Sequence, residues 1–275
     1  MGIRINTNVS SLTTQRHLYN STVSFQKSME KLASGLRINR AADDAAGLAI
    51  SEGMKSNIRA LGQASRNASD AISLVQTAEG SLDEVSNILL RMKELAEQSL
   101  GGTLSAAQQG YLDSEFTELK NEITRISDGS EFNGIALLDG SLDVDVQVGI
   151  DTAANSTINI ALATDMDATG LALDVVDVSN ATNAGAALSA VDTAIATVSQ
   201  SRSTFGAKQN RLESSIRNIN NQSENLSAAN SRIRDVDVAN ETSKMTSYQI
   251  LQQAGVSVLA QANMTTGLAL SLLQG

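Results

Sequence analysis

One apolar stripe constrains this chain more than any other feature. Leu61, Ala64, Ala68, Ala71, Val75, Ala78, Leu82, Val85, Leu89, Met92 and Ala96 recur in alternating steps of three and four. All are apolar, and their mean period of 3.5 marks the seam of a coiled coil. At 1.5 Å per residue this rod is about 50 Å long, and Gly101-Gly102 is placed to end it. A shorter rod follows on the same spacing, through Leu112, Phe116, Leu119, Ile123 and Ile126, and stops near Asp128-Gly129. A third carries Leu188, Val191, Ile195, Val198, Arg202, Phe205, Gln209, Leu212, Ile216, Ile219, Ser223, Leu226, Asn230 and Ile233. Its polar members set register at some cost in stability. The three rods predict a mainly α chain, an elongated antiparallel coiled-coil bundle. Composition agrees: there is no proline, which would break a helix interior, and no Trp, so the apolar content suits helix seams better than a deep aromatic core.

Between the second and third rods the period changes. Leu142, Val144, Val146, Val148 and Ile150 alternate with polar residues, which is the pattern of a half-buried strand. DTAANS turns the chain and TINIAL returns as its partner, so a small β-hairpin is expected at about 135–165. Residues 163–185, rich in Ala, Thr, Asn, Asp and Gly, are expected to form a short exposed variable connection.

The two ends are read together. Leu18, Thr22, Phe25, Met29, Leu32 and Leu36 repeat the seam more weakly, and no acidic residue precedes Glu30. From Met245 to Gly275 there is no Asp, Glu, Lys or Arg, although the chain's formal charge is -10. Leu251, Val258, Leu259, Leu268, Leu272 and Leu273 are among the apolar residues of this stretch, and they occur all round the helix. Pairing of the two terminal helices as a coiled coil covers only one face. The rest requires neighbours, because buried charge is expensive in an interface and its absence here fits burial. Both ends are therefore expected to order on assembly.

Chemistry is scarce. His17 is the only histidine and cysteine is absent, so disulfides, thiolate sites and the usual zinc constellations are excluded. A Ser-His-Asp arrangement would need His17, in a segment read as packed helix. No phosphate loop or dinucleotide fingerprint occurs. Asp43-Asp44 is expected to cap a helix start, and Asp143 with Asp145 to lie on the solvated face of the strand. No enzyme activity, catalytic residue, metal or cofactor is expected. The acidic balance and lack of a basic run argue against nucleic acid. No apolar run approaches the roughly twenty residues that span a bilayer, and no cleaved signal is seen, so any export would use another route. Asn6 occupies the Ser/Thr position that myristoylation of the Met-Gly start would need.

SGLRINRAADDAAGLAIS, residues 34–51, resembles the signature that follows the first helix of bacterial flagellins. INTNVSSL near the start, LLRMKELAEQS at 89–99, EFNGIALLDG at 131–140, SRIRDVDVANETSKM and QILQQAGVSVLAQAN continue the likeness in the family's order. It covers about residues 1–140 and 185–275 with long, specific motifs. The resemblance implies a structural subunit of the bacterial flagellar filament, polymerising helically with copies of itself for swimming motility. Residues 1–40 and 236–275 would be the D0 terminal coiled coil of the filament's inner tube. Leu18, Phe25, Met29, Leu32, Leu251, Val258, Leu259, Leu268, Leu272 and Leu273 would be its polymerisation interface. Residues 41–56 and 228–235 would link D0 to D1, and 57–227 would form the D1 helical bundle. The implied partners are a flagellar export chaperone on the C-terminal segment, the filament cap and the hook-junction proteins. The implied location is the extracellular filament.

Three departures qualify the likeness. Only about forty residues stand where many flagellins carry outer domains, so a short form with D0 and D1 alone is expected. The chain ends Gln-Gly where the family often ends in Arg. Leu90, Arg91, Leu95 and Glu115 fall at the positions of D1 axial contact and of the epitope read by a vertebrate Toll-like receptor; Leu90 replaces the family's Gln, which weakens that recognition. A hook–filament junction protein shares the terminal seams and is the alternative. A secreted helical translocator or tip protein would carry a hydrophobic membrane segment, which is absent from the sequence.

Overall fold

The stripe from Leu61 to Ala96 is a single helix face: all eleven of its residues are buried. The computed structural model describes residues 7–274, with side chains to Met264 apart from Ala154. Among these residues the helices are α1 (Val9–Ser34), α2 (Ala45–Leu100), α3 (Ala106–Gly129), α4 (Ala181–Arg234) and α5 (Val238–Gln274). The strands are β1 (Glu131–Phe132), β2 (Ile135–Ala136), β3 (Leu142–Gln147) and β4 (Thr157–Leu162). Packing divides them into two units, one of residues 57–224 and one drawn from residues 1–56 and 225–275.

In the unit of residues 57–224, side-chain bridges join α2 to both α3 and α4. Lys93 pairs with Asp192 at 2.7 Å and Asp83 with Arg202 at 2.9 Å. Partners on α4 retreat as α2 advances, so the two run antiparallel. On α3, Arg91 meets Glu115 while the Ser99 carbonyl accepts from Gln109, which sets the same opposed direction. A capping box starts α3: Ser105 accepts from the Gln108 N–H, and the Gln108 side chain accepts from the Ser105 N–H. Phe116 and Ile123 of its predicted seam are fully buried, with Leu112, Leu119 and Ile126 half-buried.

The buried seam of α4 differs from the heptad reading in its second row. Ala184, Val191, Val198, Phe205, Leu212 and Ile219 are buried, every seventh residue, joined in the first half by Ala187 and Ala194, while the predicted second row of Leu188, Ile195, Arg202, Gln209 and Ile216 is only half-buried. That second row flanks the contact, where Arg202 reaches Asp83 without burying its charge.

The expected hairpin is present. β3 and β4 pair antiparallel in the register Leu142↔Leu162, Val144↔Ile160 and Val146↔Ile158. Leu142, Val146, Ile158, Ile160 and Leu162 are buried, while Asp143 and Asp145 are exposed. Gly140 turns the chain into it with φ +74°, and a Cβ there would stand 2.9 Å from the Asp165 amide nitrogen. Ahead of it, β1 and β2 form a two-residue hairpin across Asn133-Gly134, both with positive φ, as a tight primed turn requires.

The connection at 163–185 is corrected by the structure. It is not an exposed loop: Met166, Leu171, Leu173 and Val178 are buried, and α4 already begins at Ala181. Apolar residues spaced among polar ones dock it on the helices. Ser99 Oγ donates to the Val178 carbonyl, Asp113 accepts from the Val178 N–H, and Lys120 Nζ donates to the Val176 carbonyl.

In the second unit, α1 ends where Gly35 takes φ +71°. Residues 35–37 then pair with 234–236: the Arg37 N–H donates to the Arg234 carbonyl and the Val236 N–H to the Gly35 carbonyl. Asp44 accepts from the Gly47 N–H and caps α2, as expected of that pair. Asp43 accepts from the N–H groups of Asn39 and Arg40. The segments read as linkers are largely helical, since α2 starts at Ala45 and α4 runs to Arg234. Ser51 Oγ donates to Asn230 Oδ1, and Arg234 pairs with Glu52.

Candidate functional site

The paired terminal helices carry the least ordinary surface of the molecule. α1 and α5 run antiparallel, joined by hydrogen-bonded rungs. Asn8 Nδ2 donates to the Ala262 carbonyl at 2.9 Å, and Ser11 Oγ to Asn263 Oδ1 at 3.0 Å. Gln252 Nε2 donates to Thr22 Oγ1 at 3.2 Å, and Ser28 Oγ to Glu241 Oε1 at 2.6 Å. Glu241 is only 7% exposed, and Lys244 lies 3.6 Å from its other oxygen. Gly255 closes the gap between helices, since a Cβ on it would meet Leu18 Cδ1 at 3.3 Å.

The inward face of α5 follows the coiled-coil step. Glu241, Met245, Tyr248, Gln252, Gly255, Leu259 and Ala262 are buried or half-buried, and every other residue from 241 to 264 is exposed. Ile250, Leu251, Val256 and Val258 are thereby left on the outside, each more than half exposed. Val9, Leu12, Tyr19 and Met29 extend the exposed apolar surface onto α1. No charged side chain interrupts the α5 part from Met245 onward. Single exposed apolar residues need no explanation, but a run of them without charge marks a surface that another molecule covers.

The sequence-predicted residues fall into three sets. Leu18, Phe25, Leu32 and Leu259 are half-buried, and Leu18 faces Gly255 across the α1–α5 contact. Met29, Leu251 and Val258 face outward. The side chains of Leu268, Leu272 and Leu273 lie outside the described residues. Of the polar rungs, sequence reasoning placed Thr22 on the seam but missed Ser11 and Ser28, which a hydrophobic period does not register.

On the other unit, Arg91 bridges α2 and α3. Its Nε and Nη2 donate to Glu115 Oε1 at 2.9 and 2.8 Å, and its Nη1 to Glu94 at 3.0 Å. Its hydrogen bonds to Glu115 and then to Glu94 hold the guanidinium pKa above its ordinary value. Leu90 stands exposed beside it, whereas Leu95 is fully buried. Of the four positions, therefore, only Leu90, Arg91 and Glu115 are presented at the surface. Among the described residues no three His, Cys, Asp or Glu side chains cluster to hold a metal, and no helix is long and apolar enough to cross a membrane. Asp143 and Asp145 are occupied by Asn159, whose Nδ2 donates to both at 2.6 and 3.0 Å.

Comparison with known proteins adds the remaining observations. The family model described as "Bacterial flagellin N-terminal helical region" matches residues 5–143, and "Bacterial flagellin C-terminal helical region" matches 188–273. The chain is 49% identical to a flagellin of Halalkalibacterium halodurans, over 98% of this chain and 99% of that protein. It is 43% identical to a flagellin of Bacillus subtilis over 99% and 100%. It is 41% identical to the flagellar filament 33 kDa core protein of Treponema phagedenis over 98% and 99%. Among solved structures, Bacillus cereus flagellin is similar with a TM-score of 0.51 at 33% identity, covering 60% of this chain and 94% of that one. A putative flagellar hook-associated protein from Vibrio parahaemolyticus shares the fold, with a TM-score of 0.57 at 16% identity over 70% and 100%.

Proposed function

This chain belongs to the bacterial flagellin family and is a structural subunit of the flagellar filament, and we propose that it polymerises through the outward faces of α1 and α5. The observation that carries the proposal is the uncharged apolar surface of Ile250, Leu251, Val256 and Val258, which α1 leaves uncovered. The occupant is a second copy. A filament presents the same surface on every subunit, and apolar faces without charge satisfy one another by mutual burial. Residues 1–40 and 236–275 then form the inner tube, 41–56 and 228–235 lead outward, and 57–227 form the surrounding layer.

In this assignment Leu18, Phe25, Leu32 and Leu259 hold the α1–α5 pair together, while Met29, Leu251 and Val258 contact neighbouring copies. Leu268, Leu272 and Leu273 belong to the proposed interface by sequence alone, since their side chains lie outside the described residues. Arg91 and Glu115 brace α2 against α3 and present the axial contact between subunits in the outer layer. Before assembly, the C-terminal segment needs cover, which a dedicated export chaperone supplies. The filament cap and hook-junction proteins meet the same terminal surfaces at the two ends of the polymer. Weak recognition by the vertebrate Toll-like receptor follows from Leu90.

Electron microscopy tests the assignment. The full chain and a form lacking residues 1–40 and 236–275 are each brought to assembly with a precipitating salt. Thin tubes from the full chain alone are expected. Equal assembly by both forms would move the polymerisation element away from α1 and α5.

A further inference from the structure

The outward faces of α1 and α5 hold two residues whose chemistry differs from that of their neighbours. Met29 is 49% exposed on α1, and Met264 is 61% exposed on α5. Met92 and Met166, in the other unit, are fully buried at 0%, and Met54 and Met245 are half-buried. The chain has no cysteine, so no thiol competes for an oxidant. Val, Leu and Ile on the same faces are inert to peroxides, whereas an accessible thioether is not.

We propose that Met29 and Met264 are oxidation sites that switch assembly: hydrogen peroxide or a related two-electron oxidant converts both to sulfoxides and disables the subunit for polymerisation. In the reaction a sulfur lone pair attacks one peroxide oxygen, an S–O bond forms and the O–O bond breaks. Sulfur is oxidised by two electrons, and the departing hydroxide takes the remaining proton to leave as water. A flexible apolar side chain thereby becomes a polar one. In the free subunit both sulfoxides face solvent and cost little. In a copy–copy contact each must be desolvated, Met264 on a stretch of α5 that carries no charged side chain and Met29 on α1 beside Lys27 and Glu30, which give a sulfoxide no apolar match. The converse also holds: once the contact forms, it shields both sulfurs, so a filament resists an oxidant that disables free subunits. Enzymatic reduction of the sulfoxide restores the apolar face.

The inference rests on α1 and α5 being the polymerisation surface, and the experiment separates the two claims. The full chain, as free subunits and as assembled filaments, is exposed to hydrogen peroxide, and the gain of one oxygen at each methionine is read by peptide mass spectrometry. In free subunits Met29 and Met264 are expected to oxidise well before Met92 and Met166. In filaments their rates fall about tenfold or more, following their exposure. Oxidised subunits need about a tenfold higher concentration to assemble, the effect of burying an unpaired polar group. The double variant Met29→Leu, Met264→Leu assembles after peroxide treatment as before it. Equal rates in subunits and filaments overturn the proposal, as does a double variant that peroxide still disables. If oxidised wild-type chain assembles normally while Leu251→Asp does not, the switch fails and the polymerisation surface stands. If Leu251→Asp also assembles normally, both fall together.

Discussion

Leu251→Asp separates folding from assembly more sharply than any other single change. Leu251 is more than half exposed on α5 and takes no part in its contact with α1. In the free subunit the substitution therefore costs little, within about 0.5 kcal/mol for an exposed site and a similar amount for the lower helix propensity of Asp. In the polymer the arithmetic reverses. Covering the exposed half of a leucine is worth about 1–1.5 kcal/mol, which the variant forgoes. A carboxylate taken into an uncharged contact adds a desolvation cost of several kcal/mol. A loss of roughly 3 kcal/mol or more per subunit raises the critical concentration on the order of a hundredfold, since each 1.4 kcal/mol is a factor of ten. Sedimentation of assembled from free chain measures that concentration, and far-ultraviolet circular dichroism checks that the helices persist. Leu251→Asn serves as the neutral control and is expected to fall between wild type and Asp. Assembly of both variants at the wild-type concentration would refute the reasoning, because it would mean that this face stays in water in the filament.

Other expectations test the fold beneath that surface. Phe116→Ala empties a fully buried site and should cost about 3–5 kcal/mol, lowering the melting midpoint of residues 57–224 by on the order of 10 °C in a thermal scan. Ser28→Ala leaves the buried Glu241 without its 2.6 Å donor, worth about 1–3 kcal/mol, read as faster amide exchange in α1 and α5. Asp177 is held below the usual carboxylate range by the hydroxyl of Ser179, then by Asn183 and the Ser179 N–H. Its contribution is therefore present in full above about pH 4, the ordinary Asp value, and drains as pH falls through the lower folded-state value. Asp177→Asn should flatten that part of the acid denaturation curve while leaving the neutral-pH helix content unchanged.

The sequence made the helices and the hairpin legible because their signals are periodic. The stripe of α2 is a run of identical steps, and the pairing of β3 with β4 follows from strict alternation between apolar and polar residues. The docked segment 163–180 escaped because Met166, Leu171, Leu173 and Val178 follow no regular period; they are buried singly, and the hydrogen bonds that tie the segment to Ser99, Asp113 and Lys120 leave no hydrophobic pattern. The second row of α4 escaped for another reason. Ala187 and Ala194 are buried beside the half-buried Leu188 and Ile195, and a hydrophobic count favours the larger side chains. The α1–α5 surface was legible as a property, an uncharged stretch with apolar residues on all sides. Which residues face α1 was not, because Ser11, Thr22, Ser28, Gln252 and Glu241 hold the pair through hydrogen bonds that carry no hydrophobic period.

Those polar rungs also bear on why the terminal pair can serve as an assembly element at all. A helix pair with apolar residues on every side has no intrinsic preference for one face, and several registers would bury similar area. Hydrogen bonds do not tolerate such shifts. Moving α5 by one turn against α1 would separate Ser28 from Glu241 and Gln252 from Thr22, and would leave a nearly buried carboxylate without its donor, at about 1–3 kcal/mol for an unsatisfied group. Gly255 reinforces the choice, since a Cβ there would stand 3.3 Å from Leu18 Cδ1 and push that side chain back by a few tenths of an ångström. The inward face is thus fixed by polar groups partnered across the pair, and Ile250, Leu251, Val256 and Val258 are left outward by exclusion. Assigning specificity to the inner contact and apolar burial to the outer one presents the same outer surface on every subunit, which is the condition for identical contacts to repeat along a polymer.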